Sequence, residues 1–408
     1  MRLKDIANIN PAYTGPDLGD QLVSFSPMEC LRYDSLKPIT ISFSEAKGKY
    51  TFFKDNDILF AKVTPCFENQ NIAIANNLVN GIGFGSSEIN VLRLKSDASL
   101  RYMFYVICSN RFYNTGCSLM CGVGGLKRIN PRAVSTFEFT MPSLVEQEAI
   151  AAYLDKECKK IGRKIELLER KADAYSRLRR SLINRAVTRG LDPNVSLKPS
   201  GNNWIGDIPQ HWGDERVEKY FHNNTSYNKD FQYKHAFKFF KGTIIHKDET
   251  FEEDEYQDTY EKYTIVEPND IIINGLNLNY DLKSMRVGKV TENGIITSAY
   301  IVLRPYNNVC SDFFNYLFKA FDYRKFFHGM GKGIRLTLSF NELRYFEIPI
   351  PPIDEQKKIA AYLDEKCAKI DAILEKINTE VERLKELKRS LINEVVTGQR
   401  AIDTESHS

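Results

Sequence analysis

Apolar side chains recur near the C-terminus at Ile359, Leu363, Cys367, Ile370, Leu374, Ile377, Val381, Leu384, Leu387 and Leu391, mostly four and three positions apart. That spacing puts them on one stripe of a helix, the a/d seam of a coiled coil. The same stripe runs through Ile150, Leu154, Cys158, Ile161, Ile165, Leu168, Ala172, Tyr175, Leu178 and Leu182. Two such stripes in one chain most simply bury each other, which predicts a pair of long antiparallel helices. Ile150, Leu154, Ile161 and Ile165 on one, with Ile359, Leu363, Ile370 and Leu374 on the other, are the candidate pairing residues.

The two stripes are copies. Pro142 to Thr188 returns without a gap as Pro351 to Thr397; Glu146 and Glu355, like Ser181 and Ser390, stand 209 positions apart. A fixed offset over so long a stretch marks one duplicated structural unit. Each copy opens on a proline that forbids continuation of a preceding ladder. Ser143 with Glu146 forms an S-x-x-E capping box in the first copy, and Asp354 is the expected N-cap of the second. Neither helix has an internal proline, and the runs end near Gly190 and Gly398. About 40 residues at a rise of about 1.5 Å make a rod of roughly 60 Å.

Between the helices the period changes. Lys54 to Phe60 and Glu267 to Ile273 read as turn and strand, and Asn80-Gly81 and Asn293-Gly294 each lead to a strand, Val91-Leu92-Arg93 and Val302-Leu303-Arg304. Aromatic-rich helical stretches follow, Tyr102 to Tyr113 and Phe313 to Phe327, and then glycine-rich basic loops, Gly122 to Arg128 and Gly329 to Arg335. The expected fold is mixed α/β with a pseudo-twofold internal repeat: two globular heads, residues 1–141 and 214–350, and two helices, residues 142–190 and 351–398. A linker at 191–213 and a tail at 399–408 complete it. Each head has the size of one ordinary domain.

Composition narrows the function. With 408 residues, 42% hydrophobic and 27% charged, the chain is ordinary globular protein. No apolar run approaches a membrane span, and Met1-Arg2-Leu3-Lys4-Asp5 is not a signal peptide, so the expected location is cytoplasmic, without a membrane partner. Eight cysteines without a C-x-x-C pair read as reduced thiols, and Cys117 with Cys121 is at most half of a metal site, so no metal is expected. The net charge of +3 does not announce a polyanion binder. Its distribution says more: the first helix carries an excess of Lys and Arg, whereas Glu252, Glu253, Asp254, Glu255 and Asp258 form an acidic segment that should avoid phosphates.

Glycines beside Lys and Arg let a backbone approach a phosphate while the side chains reach a base or a second phosphate. A solvated surface loop would look the same in a single instance, but here there are two at equivalent places. The candidate phosphate and base contacts, taken from these and the paired Asn-rich loops, are Lys62, Thr64, Ser86, Ser87, Lys127 and Arg128 in the first head, and Asn274, Asn277, Lys332, Arg335 and Thr337 in the second.

Pro-Pro-x-x-Glu-Gln-x-x-Ile-Ala-x-Tyr-Leu at Pro351 to Leu363, its near copy at Pro142 to Leu154, and Trp204-Ile205-Gly206-Asp207-Ile208-Pro209-Gln210-His211-Trp212 resemble the specificity subunit of type I restriction-modification systems. So does Asp57 to Asn69 with Gly81 to Glu88. The resemblance covers essentially the whole chain. It departs at the start, where no Trp-Ile-Gly-x-Ile-Pro precedes the first head; that head either lacks a turn the second has or begins upstream of Met1. The resemblance implies a protein without its own chemistry or cofactor. Each head, a target-recognition domain, would read one half of a bipartite asymmetric site in double-stranded DNA. The helices would set the gap between halves and dock two methyltransferase subunits. Those partners would bring S-adenosylmethionine, and restriction/translocase subunits would bring ATP and Mg.

Enzymatic alternatives are thin. Asn10-Pro11-Ala12-Tyr13 lacks the second proline of an adenine methyltransferase loop, and Gly81-x-Gly83-x-Gly85 is not followed by a long helix pattern. Pro268-Asn269-Asp270 with Asp281-Leu282-Lys283 loosely imitates the PD-(D/E)xK acids and lysine of an Mg-dependent nuclease; a strand edge and a chance triplet explain it as well. Six scattered histidines support no triad. A coiled-coil adaptor joining proteins is the third class, against which stand the polar Asn, Lys and Gly loops of the heads.

Overall fold

The computed structural model describes residues 1–95, 98–122, 125–240, 242–247, 257–280 and 285–402. Its two long helices are Leu144–Arg189 and Ile353–Val396, of 46 and 44 residues. The first opens on the expected capping box: the Glu146 carboxylate accepts from the Ser143 backbone N–H at 2.9 Å and from its hydroxyl at 2.7 Å. The second begins two residues earlier than expected, at Ile353, so Asp354 lies inside the first turn rather than capping it. There its charge still faces the unpaired N–H groups of the helix start, while the Pro352 carbonyl closes the turn by accepting from Glu355 N at 2.9 Å.

The chain divides into two units. Unit 1 is Met1–Glu169 with Asn378–Ser408; unit 2 is Arg170–Ile377. Each unit therefore holds part of both long helices. Within unit 1 they run antiparallel, Leu154 and Cys158 sharing a core with Leu391, Ile392 and Val395, and Lys164 reaching Glu380 at 3.2 Å. Within unit 2, Ile183, Ala186 and Val187 pack with Ile359, Leu363 and Cys367, and Arg179 meets Asp371 at 3.2 Å. Leu178 and Leu387 interrupt the seam, both about half exposed. The next residue on each helix turns inward instead: Lys388 stacks on the Tyr33 ring at 3.8 Å, and Arg179 donates to the Tyr323 hydroxyl at 2.8 Å.

The heads are built on one plan. In unit 1 an antiparallel sheet runs in the order Ala7–Ile9, Ile89–Leu94, Ile58–Ala61, Ile72–Ile74. In unit 2 the order is Phe221–Asn223, Ile301–Pro305, Ile271–Ile273, Val287–Lys289. The central strands are buried on both faces, as their uninterrupted apolar runs require. Alternation sends Ile58 and Phe60 to the helices, and Leu59 to a second cluster with Leu31, Phe53 and Val91. Ile271 and Ile273 divide from Ile272 in the same way. Unit 1 adds a second sheet, Ile39–Ser42, Leu22–Ser26, Ile82–Gly85, Thr51–Lys54, whose middle pair is parallel.

Matched polar contacts fix each head to its helices. The Gln147 side chain accepts from Ser99 N at 2.9 Å and donates to Pro142 O at 2.8 Å; Gln356 accepts from Cys310 N at 3.3 Å and donates to Pro351 O at 2.9 Å. The repeated glutamine thus ties the start of the head's aromatic helix, Leu100–Cys108 or Ser311–Tyr323, to the start of the long helix. Both glutamines are buried, where an unpaired amide would be costly. In unit 2 the Trp204 to Trp212 segment joins this seat: the Glu355 carboxylate accepts from the Trp212 indole at 3.1 Å and bonds His211 at 2.8 Å.

Candidate nucleic-acid interface

In unit 1 the strand Ile58–Ala61 runs straight into the first candidate residues. Lys62 donates its backbone N–H to Glu88 O at 2.9 Å and accepts from Ile129 N at 2.8 Å. Two positions on, Thr64 N donates to Lys127 O at 3.0 Å, while its hydroxyl accepts from Lys127 N at 3.0 Å and donates to Gly125 O at 2.8 Å. The Thr64-Pro65 bond is cis. The chain at 62–64 is therefore laced between the turn at 86–88 and the loop at 125–129, which brings all six unit 1 candidates into one patch. Val123 and Gly124 of that loop lie outside the described residues.

The six do different jobs. Ser87, Lys127 and Arg128 are exposed. The Thr64 hydroxyl is spent on the loop, and the Ser86 hydroxyl accepts from Glu88 N at 3.2 Å, so both build the surface. Arg128 grips Glu88: its Nε lies 3.0 Å from both carboxylate oxygens and its Nη2 2.6 Å from one. That hydrogen-bonded guanidinium holds the Glu88 carboxyl below its ordinary range. Glu88 stood in the Gly81 to Glu88 motif, yet the sequence does not show that it faces Arg128, forty positions on.

In unit 2 the corresponding strand Ile271–Ile273 leads into Asn274, whose side chain accepts from Leu276 N at 3.1 Å. Asn277 sits at φ 51, a left-handed conformation that asparagine tolerates. The second loop docks edge-on, Leu278 N donating to Leu336 O at 3.0 Å and Leu338 N to Gly275 O at 2.9 Å. A Cβ on Gly275 would stand 2.3 Å from that Leu338 carbonyl oxygen, so only glycine permits the approach. Lys332 and Thr337 exchange backbone hydrogen bonds at 3.1 and 2.9 Å, leaving Gly333, Ile334 and Arg335 as the tip. The five unit 2 candidates thus also share one surface.

Three further residues matter here and were not legible as candidates. Buried Arg286 reaches under the loop to the carbonyls of Asn274 at 3.1 Å and Leu276 at 2.8 Å. Ile334 is 94% exposed, and Tyr280 76%. Both stand at the same loop edge as Asn279, whose side chain donates to Ile334 O at 3.0 Å.

The nuclease alternative loses its acid. Asp270 lies 1% exposed under Arg304, which donates Nε and Nη2 to its two oxygens at 3.0 and 2.8 Å. Asp57 and Arg93 form the same bidentate pair in unit 1, at 2.9 and 2.7 Å. An acid held identically in both heads is a structural anchor of the sheet. Asp281-Leu282-Lys283 and Glu252 to Glu255 lie outside the described residues. Among the described residues no group of three or more His, Cys, Asp or Glu is placed to hold a metal ion, and no helix is long and apolar enough to cross a membrane.

A family model described as the type I restriction modification DNA specificity domain matches residues 1–171 and again 210–383. The chain belongs to this specificity-domain family. Among relatives, the EcoEI specificity subunit of a type I restriction enzyme from Escherichia coli is 36% identical over 160 residues, 38% of this chain. The match spans only 27% of that relative's length. Over 98% of this chain and 97% of the other, the fold matches a chain from a structure described as the basis of complex assembly and conformational transition of the type I R-M system, with 14% identity and TM-score 0.72. It also matches the HsdS subunit of Thermoanaerobacter tengcongensis, with 16% identity, TM-score 0.50 and coverage of 98% and 96%. Specificity-domain membership accounts for the double match: each matched stretch contains one head and the start of the long helix that follows it.

Proposed function

We propose that this chain is the DNA-reading specificity subunit of a type I restriction-modification complex and carries no chemistry of its own. Each head reads one half of a bipartite, asymmetric site. The observation that carries this is a single sheet plan, with one buried Asp–Arg anchor, presenting two loop pairs of different sequence. Unit 1 offers Lys62, Ser87, Lys127 and Arg128 on its surface; unit 2 offers Asn277, Lys332, Arg335 and Thr337. One scaffold with two unlike reading surfaces suits two unlike half-sites, since bases are told apart by the donors and acceptors that reach the major groove.

The two long helices set the number of unread base pairs between the half-sites and give two methyltransferase subunits near-equivalent docking surfaces, as the duplication of their sequence favours. S-adenosylmethionine is held by those subunits, ATP and Mg by the restriction/translocase subunits, and the complex works in the cytoplasm on double-stranded DNA. The test is methylation-sensitive sequencing of the host genome with and without this gene. A split adenine-methylated motif that vanishes on deletion is expected; an unchanged methylome overturns the proposal. Metal-dependent cutting by the purified chain alone would return the nuclease alternative.

A further inference from the structure

The Arg128–Glu88 pair is built more firmly than a surface ion pair needs to be. Glu88 is pinned on three sides: its N–H donates to the Ser86 hydroxyl, its carbonyl accepts from Lys62 N, and the next residue, Ile89, donates to Ser86 O at 3.0 Å. Arg128 is pinned too, by a bridge between its backbone and Val63 and by pairing of its strand, Arg128–Ile129, with Met120–Cys121. The carboxylate takes up the Nε–Nη2 edge of the guanidinium. Nη1 has no hydrogen-bond partner among the described residues, and the Arg128 side chain is 46% exposed. The end of the guanidinium therefore still offers donors to a partner.

Resting on the DNA-reading role proposed above, we infer that Glu88 is a positioning residue that sets Arg128 to read a single guanine in the half-site of unit 1. The O6 and N7 acceptors of guanine match two donors at the end of a guanidinium. A fork already clamped by a carboxylate loses little freedom on binding. The same carboxylate disfavours the alternative contact: it offsets the positive charge of Arg128 and repels a phosphate, so the pair suits a base edge better than the backbone. At the matching strand start in unit 2 the residue before Ile301 is Tyr300, half-buried beside Phe239, so that position supplies no such carboxylate.

The test is selection from a randomised double-stranded DNA library by the full chain assembled with its modification subunits, comparing wild type, Arg128→Ala, Glu88→Ala and Glu88→Gln. The half-site that does not respond to Arg128→Ala is the internal control for folding. Expected is a loss of preference for guanine, about 10-fold or more, at one position in Arg128→Ala and at the same position in Glu88→Ala, with Glu88→Gln intermediate. Uniform weakening on all sequences by Arg128→Ala makes Arg128 a phosphate contact and overturns the inference. An unaltered profile in Glu88→Ala overturns the positioning role. Failure of the wild-type complex to enrich any motif sinks the proposed function itself, a result distinct from both.

Discussion

The Tyr105 hydroxyl donates to the Asp155 carboxylate at 2.7 Å, and Tyr316 to Asp364 at the same distance, so each head is latched to its long helix by one repeated tyrosine–aspartate bond. Burial pushes both phenols well above their ordinary range, with the carboxylates adding to it. In unit 1 the latch is reinforced by Arg101, which bonds Asp155 at 2.6 Å and Asp34 at 2.5 Å. The surrounding cleft, about 360 Å³, is lined by Tyr33, Cys158, Lys159 and Lys388 as well as these groups. Arg101 takes up both acids of the cleft, and Lys388 lies over the Tyr33 ring.

Tyr105→Phe should therefore loosen unit 1 by about 1 to 2 kcal/mol, the cost of leaving a hydrogen-bonded site partly unpaired. Hydrogen exchange should quicken in Leu100–Cys108 and leave Ser311–Tyr323 unchanged.

Removing Asp270 separates the structural from the nuclease role. Asp270→Ala leaves Arg304 paired with Glu267, at 3.2 Å, and should cost about 1 to 3 kcal/mol, read as a lowered denaturation midpoint. A variant of unaltered stability that abolished metal-dependent cutting would instead make Asp270 a catalytic acid.

On the unit 2 surface, Arg335→Ala is expected to cost about 1 to 3 kcal/mol of base discrimination at one position of one half-site. Uniform weakening would assign it to phosphate instead. Library selection distinguishes the two.

Lys319 gives unit 2 an alkaline signature. Burial, then the neighbouring Arg179 charge, lowers its ammonium to about 8, despite Cys367, Asp371 and Asp322 nearby. Because the folded pKa lies below the unfolded one, the unfolded chain binds the extra proton between about pH 8 and 10.5. Over that window this group's contribution to stability rises with pH. Lys319→Met should stabilise the protein by about 1 to 3 kcal/mol at pH 7.5, with the gain shrinking as pH climbs to 10.5. A gain independent of pH would show that the charge is not the cause.

Lengthening both helices tests the spacing role. Four residues inserted after Leu168 and four after Ile377 add about 6 Å of helix. The gap between half-sites in the methylome should widen while both half-sites stay the same.

The helices were readable because a seam repeats every few residues over many turns. Leu178 and Leu387 escaped that logic: periodicity counts any leucine as inward, but here Arg179 and Lys388 take the inward place and pack on tyrosines of the heads. The sheets were legible only at their apolar strands. The loop candidates were found by residue type alone, which cannot tell the Thr64 hydroxyl, spent on Gly125 and Lys127, from the exposed Ser87. Glu88 went unrecognised because Arg128 lies 40 positions away, and Arg286 because a side chain that bonds backbone carbonyls leaves no sign in the local pattern.

Unit 1 is assembled from the first 169 residues and the last 31, whereas unit 2 is one continuous stretch. On the ribosome the later half can close first. The earlier half must wait, with Ala151, Leu154 and Cys158 uncovered, until Leu391, Ile392 and Val395 emerge to cap them. A nascent apolar face held open that long favours misassembly, so the pairing of segments this far apart makes unit 1 the half left exposed longest during synthesis.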